Sequence, residues 1–290
     1  MKLVRYGPSG CENPGIIDAE GYVRDLSPLV DDLAGDVLTD IGLQKLRQID
    51  VNGLLKISGC PQVDFRLGPC VSNVGKIICI GLNYSDHAEE AGLTIPPEPI
   101  VFGKFTSSIV GPDDETLLPP NSTATDWEVE LGIVIGKGGR HIAEEDAMEA
   151  VAGFCLVNDI SERDYQLNRS GTWDKGKGYD TFGPIGPWLV TRDELLDYDE
   201  LPIWLEVNGK RYQDGNTSMM AFKVPFLVSY CSQFMSLQPG DIIATGTPAG
   251  VGMGFDQPVF LKDGDLMHLG ISGLGTQTHK VIKSPLSHTK

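Results

Sequence analysis

The chain has 290 residues and a formal net charge of -17 at pH 7. Sequence-independent binding to nucleic acid needs clustered Lys and Arg, so an acidic chain without a basic run excludes that function. A membrane helix needs roughly 18 consecutive apolar residues, and no run in the sequence approaches that length. The opening residues, MKLVRYGPSG, lack the apolar segment of a secretory signal, and we expect a cytoplasmic protein.

The six cysteines are scattered at positions 11, 60, 70, 79, 155 and 231. None forms a Cys-x-x-Cys pair, which removes the usual signature of zinc and dithiol redox sites. Free thiols in a reducing compartment are therefore the simplest interpretation.

The first part of the chain contains no cluster of reactive side chains. GIIDAEGYVRDL is typical of a small hairpin, and LTDIGLQKLRQI is typical of a short helix. The Gly- and Pro-containing stretch 66–76 marks a plausible boundary. We therefore predict a small N-terminal α+β domain over 1–70 and a catalytic domain over 71–290.

From residue 76 onward the pattern indicates buried strands separated by short helices. The strand predictions fall at 76–82, 99–105, 125–137, 154–159 and 241–252, with a hairpin around Asn208-Gly209 and two alternating strands near the end. The helix predictions fall at 85–92, 144–153 and 223–241. Strands outnumber helices without a regular β-α-β rhythm, which favours a mixed α+β or curled-sheet architecture.

The segment TDWEVELGIVIGK, residues 125–137, places Asp126, Glu128 and Glu130 on one face of a strand. Carboxylates that share a face repel one another and are costly to bury, so a bound divalent cation is one way to compensate them. Asp159, at the end of the strand FCLVND, is the best third oxygen ligand. On spacing alone, a solvated acidic face explains the pattern equally simply.

Two further groups of residues could carry chemistry. His87 and Glu90 are neighbours on a short helix, where a carboxylate would orient an imidazole for general-base work; an exposed surface pair is the alternative. Lys177 lies in the glycine-rich segment 174–187, where it could stabilise an oxyanion or merely belong to a basic loop. Arg163 could hold a substrate carboxylate or form an ion pair with Asp164.

Six blocks in this order resemble the fumarylacetoacetate hydrolase family: GLNYSDHAEE, DWEVELGIVIGK, NDISERDYQ, KGYDTFGPIGP, LEVNGKRYQ and PGDIIATGTPAGVG. The resemblance spans about 74–281. It implies an α+β fold whose catalytic domain is a mixed β-roll or β-sandwich, with a small N-terminal α+β domain. It also implies a homodimer or homotetramer.

The resemblance further implies a Mg²⁺ site, with Mn²⁺ as the alternative metal, on Glu128, Glu130 and Asp159. It places catalytic roles on His87, Glu90 and Lys177. The positions implied to bind substrate are Arg163, Gln166 and Thr247. One departure is Phe105, where many family members have proline, so the substrate pocket near the loop after Lys104 is expected to differ.

The implied activity is Mg²⁺-dependent hydrolysis of a carbon–carbon bond in a small 2,4-diketo acid. The long N-terminal region and the segments GKGYDTFGPIGPWLVT (176–191) and LEVNGKRYQDGNTSMM (205–220) most resemble the subgroup acting on 2,4-diketo-3-deoxy-L-rhamnonate, which yields pyruvate and L-lactate. The L-fuconate epimer and fumarylpyruvate or another acylpyruvate are alternatives. Oxaloacetate decarboxylation, ureidoglycolate lysis and non-catalytic binding of acidic metabolites also remain open. Residues 83–97 are expected to form a lid.

Overall fold

The computed structural model describes residues 1–57 and 64–284. Its strands are β1 (Lys2–Tyr6), β2 (Asn13–Ile17), β3 (Val23–Asp25), β4 (Ile77–Gly81), β5 (Ile100–Lys104), β6 (Ile109–Val110), β7 (Thr116–Leu118), β8 (Thr125–Asp126), β9 (Val129–Ile135), β10 (Val151–Asn158), β11 (Ser161–Glu162), β12 (Gly183–Thr191), β13 (Pro202–Val207), β14 (Lys210–Asn216), β15 (Ile242–Ala244), β16 (Leu266–Ile271) and β17 (Gly275–Lys283). The α-helices are α1 (Asp40–Arg47), α2 (Ser85–Glu90), α3 (Arg163–Leu167), α4 (Asp174–Lys177) and α5 (Val224–Phe234). None of these described helices is long and apolar enough to cross a membrane.

The strands form one large mixed sheet and two smaller ones. The large sheet has ten strands in the order β3-β2-β1-β12-β10-β9-β15-β4-β5, with β6 pairing off that path to β12. A five-stranded sheet runs β14-β13-β16-β17-β7, and β8 pairs with β11 alone. Most pairs are antiparallel, whereas β4 is parallel to β15 and β7 is parallel to β17. The expected α+β fold with a mixed β catalytic region is confirmed.

The central strand β9 is buried on both faces, and its alternating side chains join two different parts of the core. Leu131 and Ile133 pack into the cluster shared with the five-stranded sheet. Val134 faces the opposite cluster, which includes Leu3 and Leu43 from the N-terminal residues. Because successive strand side chains point to opposite faces, one short apolar run holds both layers together.

The N-terminal residues are continuous with the large sheet. β1 pairs with β12 in antiparallel register, Lys2 opposite Val190 and Leu3 opposite Leu189. The predicted hairpin is present as the β2–β3 pair and the predicted short helix as α1. The division into domains at residue 70 stays a prediction about which residues fold independently.

Two helix predictions need correction. Residues 144–153 form a 3₁₀ helix only over Glu144–Ala150, after which the chain enters β10. The predicted helix over 223–241 ends at Phe234 rather than at Pro239-Gly240, because Leu237 exchanges backbone hydrogen bonds with Gly139 instead. In both places pairing with a distant segment overrides the local pattern. The hairpin prediction is confirmed, since Asn208 and Gly209 have φ of 52° and 74°, as a type I′ turn requires.

We expect two glycine substitutions to have opposite effects on stability. A Cβ at Gly153 would lie 2.1 Å from the Val190 carbonyl oxygen, so G153A should lower the free energy of unfolding by about 2 kcal/mol or more. A Cβ at Gly103 meets nothing closer than 3.7 Å. G103A should therefore raise the free energy of unfolding by about 0.5 kcal/mol, because alanine lowers the conformational entropy of the unfolded chain. Urea unfolding of both variants tests the pair. Equal midpoints would contradict the close packing of β10 on β12.

Candidate metal centre and active-site pocket

The predicted continuous strand over 125–137 is interrupted at Trp127 and Glu128. β8 pairs with β11, whereas β9 lies between β10 and β15 in the large sheet. The N–H of Glu128 donates to the Asn158 side chain at 3.2 Å, which replaces a regular backbone partner. The interruption therefore leaves Glu128 and Glu130 at the N-terminal end of β9, where side chains from other elements approach them.

Three carboxylates meet at this point. Carboxylate oxygens of Glu128, Glu130 and Asp159 all lie within 4.8 Å of one another, and all three residues are buried. The meeting follows from the pairing of β9 with β10, which continues as Asp159 donates its N–H to the Glu128 carbonyl at 2.8 Å. A solvated acidic face is therefore excluded as the explanation of this acidic pattern.

Glu128 has a cation on each side. Arg163 Nη1 lies 2.7 Å from one of its oxygens, and Lys177 Nζ lies 2.8 Å from the other. Burial alone would raise the pKa of Glu128, but Lys177 and Arg163 together lower it to about 2. Glu128 is therefore ionised at neutral pH.

Asp159 is held by two lysines. Lys177 Nζ contacts one of its oxygens at 2.8 Å, and Lys104 Nζ contacts the other at 2.5 Å while also donating to the Ile160 carbonyl at 3.0 Å. Burial would lower the pKa of Lys177, yet the charges of Asp159 and Glu128 raise it above its ordinary value. Sequence reasoning missed Lys104 as a site residue. Its one signal is a lone lysine ending the apolar strand β5.

Glu130 is the acid without a cationic partner among the described residues. It is 1% exposed, and its hydrogen bond comes from the N–H of Gly246 at 2.9 Å. Burial, followed by the negative charges of Asp159 and Glu128, raises its pKa well above the ordinary value. An undercompensated buried carboxylate beside two others fits a hard divalent cation, which prefers oxygen ligands.

His87 and Glu90 lie on α2 as a pair. His87 Nδ1 is 3.2 Å from one Glu90 oxygen, and the other oxygen accepts the N–H of Gly250 at 2.9 Å. Gly250 has a φ of +102°, and a Cβ there would lie 2.0 Å from the Tyr212 carbonyl oxygen, so the turn requires glycine. A carboxylate on Nδ1 fixes the ring in one orientation and directs the proton-accepting position to Nε2, as the predicted role of a base would require.

Asp126 is the third acid of the 125–137 segment and is not one of the predicted metal ligands. It is fully buried, contacts Arg163 Nη2 at 2.8 Å and accepts the N–H groups of Gly252 and Met253 at 2.7 and 3.0 Å. Arg163 also donates to Gln166 at 3.0 Å. Arg163 therefore already pairs with two acids of the protein, and pairing with Asp164, one of the two alternatives for it, does not occur because Asp164 pairs with Arg169.

Thr247 lies beside β9 and is held by two hydrogen bonds. Its hydroxyl donates to the Val129 carbonyl at 2.8 Å and accepts from Gln213 at 2.7 Å. Gln213 in turn donates to the Pro248 carbonyl and accepts the Val129 N–H, which ties β14 to the glycine-rich loop. The position of Thr247 is thus set by packing between the two sheets.

A cavity of about 390 Å³ opens above the three carboxylates. Eight of the nine residues predicted for the site line it, and Asp159 lies fully buried beneath them. The lining ones are His87, Glu90, Glu128, Glu130, Arg163, Gln166, Lys177 and Thr247. Phe105, the sequence departure, is 59% exposed and does not line the cavity; its ring packs against Gly178, next to Lys177.

The fold and the site together define an α+β protein with a cluster of three buried carboxylates beneath a small-molecule pocket. Residues 76–282 match the family described as fumarylacetoacetate (FAA) hydrolase C-terminal. The chain therefore belongs to the fumarylacetoacetate hydrolase family, whose members are enzymes.

Relatives cover nearly the whole chain. A protein of Burkholderia lata with a provisional hydrolase name is 60% identical over 278 residues, covering 96% of this chain and 97% of that protein. The structure of a fumarylacetoacetate hydrolase from Exiguobacterium antarcticum is 34% identical with a TM-score of 0.85, covering 98% of this chain and all of the other. A maleylpyruvate hydrolase from a Sphingobium species, solved with manganese and pyruvate, is 30% identical with a TM-score of 0.79 and the same coverage.

Replacing Glu130 with glutamine should separate metal binding from stability. In the metal-free protein, E130Q removes a buried carboxylate whose raised pKa opposes folding at neutral pH, so unfolding free energy should rise by about 1 kcal/mol. Loss of a residue that only supports a metal ligand lowers metal affinity about 10–100-fold. Because E130Q changes a ligand itself, manganese affinity measured by calorimetry should fall further than that. The exposed Glu89 supplies the control E89Q, which should change neither value. A destabilised E130Q with normal manganese affinity would refute the assignment.

Proposed function

We propose that this protein hydrolyses the carbon–carbon bond between C3 and C4 of a 2,4-diketo acid, with Mg²⁺ or Mn²⁺ held by Glu128, Glu130 and Asp159. The observation that carries the proposal is the cavity that lies above the three carboxylates, two of which line it, and whose wall carries the His87–Glu90 pair. A bound divalent ion supplies Lewis-acid polarisation of the 2-oxo acid and takes up charge on the leaving enolate.

Charge balance in the buried network favours an anionic substrate. The charged groups at the base of the cavity are the acids Asp126, Glu128, Glu130 and Asp159 and the bases Lys104, Arg163 and Lys177. Four acids against three bases leave one negative charge in excess. A divalent cation together with a singly charged 2-oxo acid brings the network to neutrality, which lowers the cost of burying it.

His87 and Lys177 divide the proton transfers. His87 Nε2, with its ring oriented by Glu90, takes a proton from water, and the oxygen adds to the C4 carbonyl. The C3–C4 bond then breaks, and its electron pair leaves with C3 as the enolate of pyruvate. Lys177, charged and buried beside Glu128, stabilises that enolate or protonates C3. The products are pyruvate and the carboxylic acid formed from the acyl half.

The substrate we propose first is 2,4-diketo-3-deoxy-L-rhamnonate, giving pyruvate and L-lactate. Support comes from the resemblance of the long N-terminal region and of segments 176–191 and 205–220 to that subgroup. The pyruvate in the Sphingobium structure supports the release of pyruvate but not the choice of acyl group. The L-fuconate epimer, fumarylpyruvate and other acylpyruvates are the nearest alternatives. Oxaloacetate decarboxylation and ureidoglycolate lysis would use the same chelating groups. Assembly as a homodimer or homotetramer stays a prediction.

Loss of the enolised diketone absorbance, with pyruvate measured by coupled lactate dehydrogenase, tests the function. We expect Mg²⁺-dependent turnover that E128Q abolishes, because that change removes a ligand and the partner of two cations. H87Q should keep manganese affinity but lose about 10²–10⁴-fold in kcat, the contribution of a general base.

Three results of this assay separate the alternatives. Near-normal activity of metal-stripped E128Q would sink the metal assignment. Oxaloacetate turnover that survives in H87Q, without diketone hydrolysis, would favour decarboxylation, which needs no hydrolytic water. Tight binding of 2-oxo acids without turnover would favour the non-catalytic alternative.

We also propose that residues 83–97 form a lid. The segment starts at Asn83, fully buried and bonded to the Thr245 carbonyl at 2.8 Å, and leads to Leu93, which is 54% exposed at the pocket. Mg²⁺ plus oxalate should slow thermolysin cleavage at Leu93 about tenfold or more, because closure excludes solvent. Cleavage near the exposed Leu196, outside the pocket lining, is the internal control. Equal rates at Leu93 with and without ligand would count against the lid.

A further inference from the structure

The cavity has a polar base and an apolar wall. The base carries the carboxylates and their cations, whereas the wall beyond the His87–Glu90 pair is formed by uncharged side chains from separate parts of the chain. These wall residues are Ile80, Leu82, Ala91, Leu93, Phe102, Leu167, Trp173, Val251 and Met253. With the pyruvyl half of the substrate fixed at the base, the wall is what remains for the acyl half.

We propose that this apolar wall makes the enzyme select substrates whose acyl group is uncharged at its far end, and reject those that end in a second carboxylate. The inference rests on the proposed function, since it assigns the pyruvyl half to the carboxylate base. It narrows the substrate to acylpyruvates with an alkyl, aryl or hydroxyalkyl acyl group.

The first argument is that the cations lining the cavity are already paired. Arg163 is held by Asp126 and Glu128 at 2.8 and 2.7 Å, and Lys177 is held between Glu128 and Asp159 at 2.8 Å. His87 faces Glu90. Each cationic side chain of the described lining thus already faces a carboxylate of the protein, although Arg163 Nη2 makes no hydrogen bond. A distal carboxylate would have to compete with these acids, and burying an unpaired carboxylate is costly.

The second argument is the rigidity of one side of the wall. The Trp173 ring meets Phe102 edge-on, with ring centroids 5.2 Å apart. A Cβ at Gly81 would lie 2.7 Å from the Trp173 ring, so the indole packs directly on the backbone of β4. An aromatic surface held in this way contacts an alkyl or aryl chain without a conformational change.

The third argument is the pair of leucines at the pocket mouth. Leu93 follows α2 and Leu167 ends α3, and they are 54% and 49% exposed although both line the cavity. One exposed leucine is ordinary, but two from separate elements around one opening make an apolar rim of the kind that marks a ligand site. The lactoyl end of the L-rhamnonate-derived substrate is uncharged and meets this requirement, whereas the carboxylate end of fumarylpyruvate does not.

A matched substrate pair tests the selection. Succinylpyruvate and 4-methylpentanoylpyruvate have similar shapes, but only the first ends in a carboxylate. With Mg²⁺ we expect kcat/KM to favour the uncharged compound by about 100-fold, the scale of an unpaired buried polar group. Equal values, or a preference for succinylpyruvate, would overturn the inference.

A charge introduced at the rim should reverse the preference. L167R supplies a cation at the pocket mouth and should raise kcat/KM for succinylpyruvate about tenfold or more, while lowering it for the uncharged compound. The matched control is L196R, on an exposed leucine that is 77% accessible and does not line the cavity, and it should change neither value. A rise of the same size in L196R would show general charge attraction and count against a specific wall.

Binding separates a failure of this inference from a failure of the proposed function. Calorimetry in the presence of Mn²⁺ compares 2-oxooctanoate with 2-oxosuberate, which have the same chain length and differ in the distal carboxylate. Tighter binding of 2-oxooctanoate by about tenfold or more supports selection by the apolar wall. That conclusion would hold even if neither diketone were hydrolysed, a result that would contradict the proposed reaction. Equal affinities overturn the wall, whether or not turnover occurs.

Discussion

The mutual repulsion of three buried carboxylates is the constraint on which the site depends. Glu128 and Asp159 are balanced by lysine and arginine side chains from β5, α3 and α4, so those elements are tied to the end of β9 by charge. Glu130 has no such cation among the described residues. The protein thus neutralises the network only in part, and the negative charge that remains favours binding of a divalent cation.

The same network explains why the pocket has two different halves. The cations near the base face acids of the protein, since Lys177 joins Glu128 to Asp159 and Lys104 pairs with Asp159 alone, so their charges point toward the base rather than the wall. Bulky uncharged residues can then occupy the rest of the cavity without burying an unpaired ion. In the proposed mechanism, catalysis acts at one end of the substrate and discrimination at the other.

Strand periodicity was sufficient to find β9 and β10 and to place Glu128 and Glu130 on one face. The position of Asp159 at the end of a predicted strand made it a candidate, but periodicity could not show that it meets them, since that depends on which strands pair; the family resemblance supported the assignment. The sequence did not identify Lys104 as a site residue, because its partner Asp159 lies 55 residues away and a single lysine has no spacing pattern. The helix α5 was overextended for a related reason, as a bridge to Gly139 ends it.

The two oxygens of Glu90 serve different neighbours, one the His87 ring and the other the backbone of Gly250. The orientation of the base and the position of the glycine-rich loop are therefore not independent variables. Any displacement of α2 that breaks the contact with Gly250 also releases the group that aligns the imidazole. In the proposed mechanism, a pocket in which only one of the two is in place would therefore hold a misaligned imidazole, and activation of water would require the loop and α2 to be in place together.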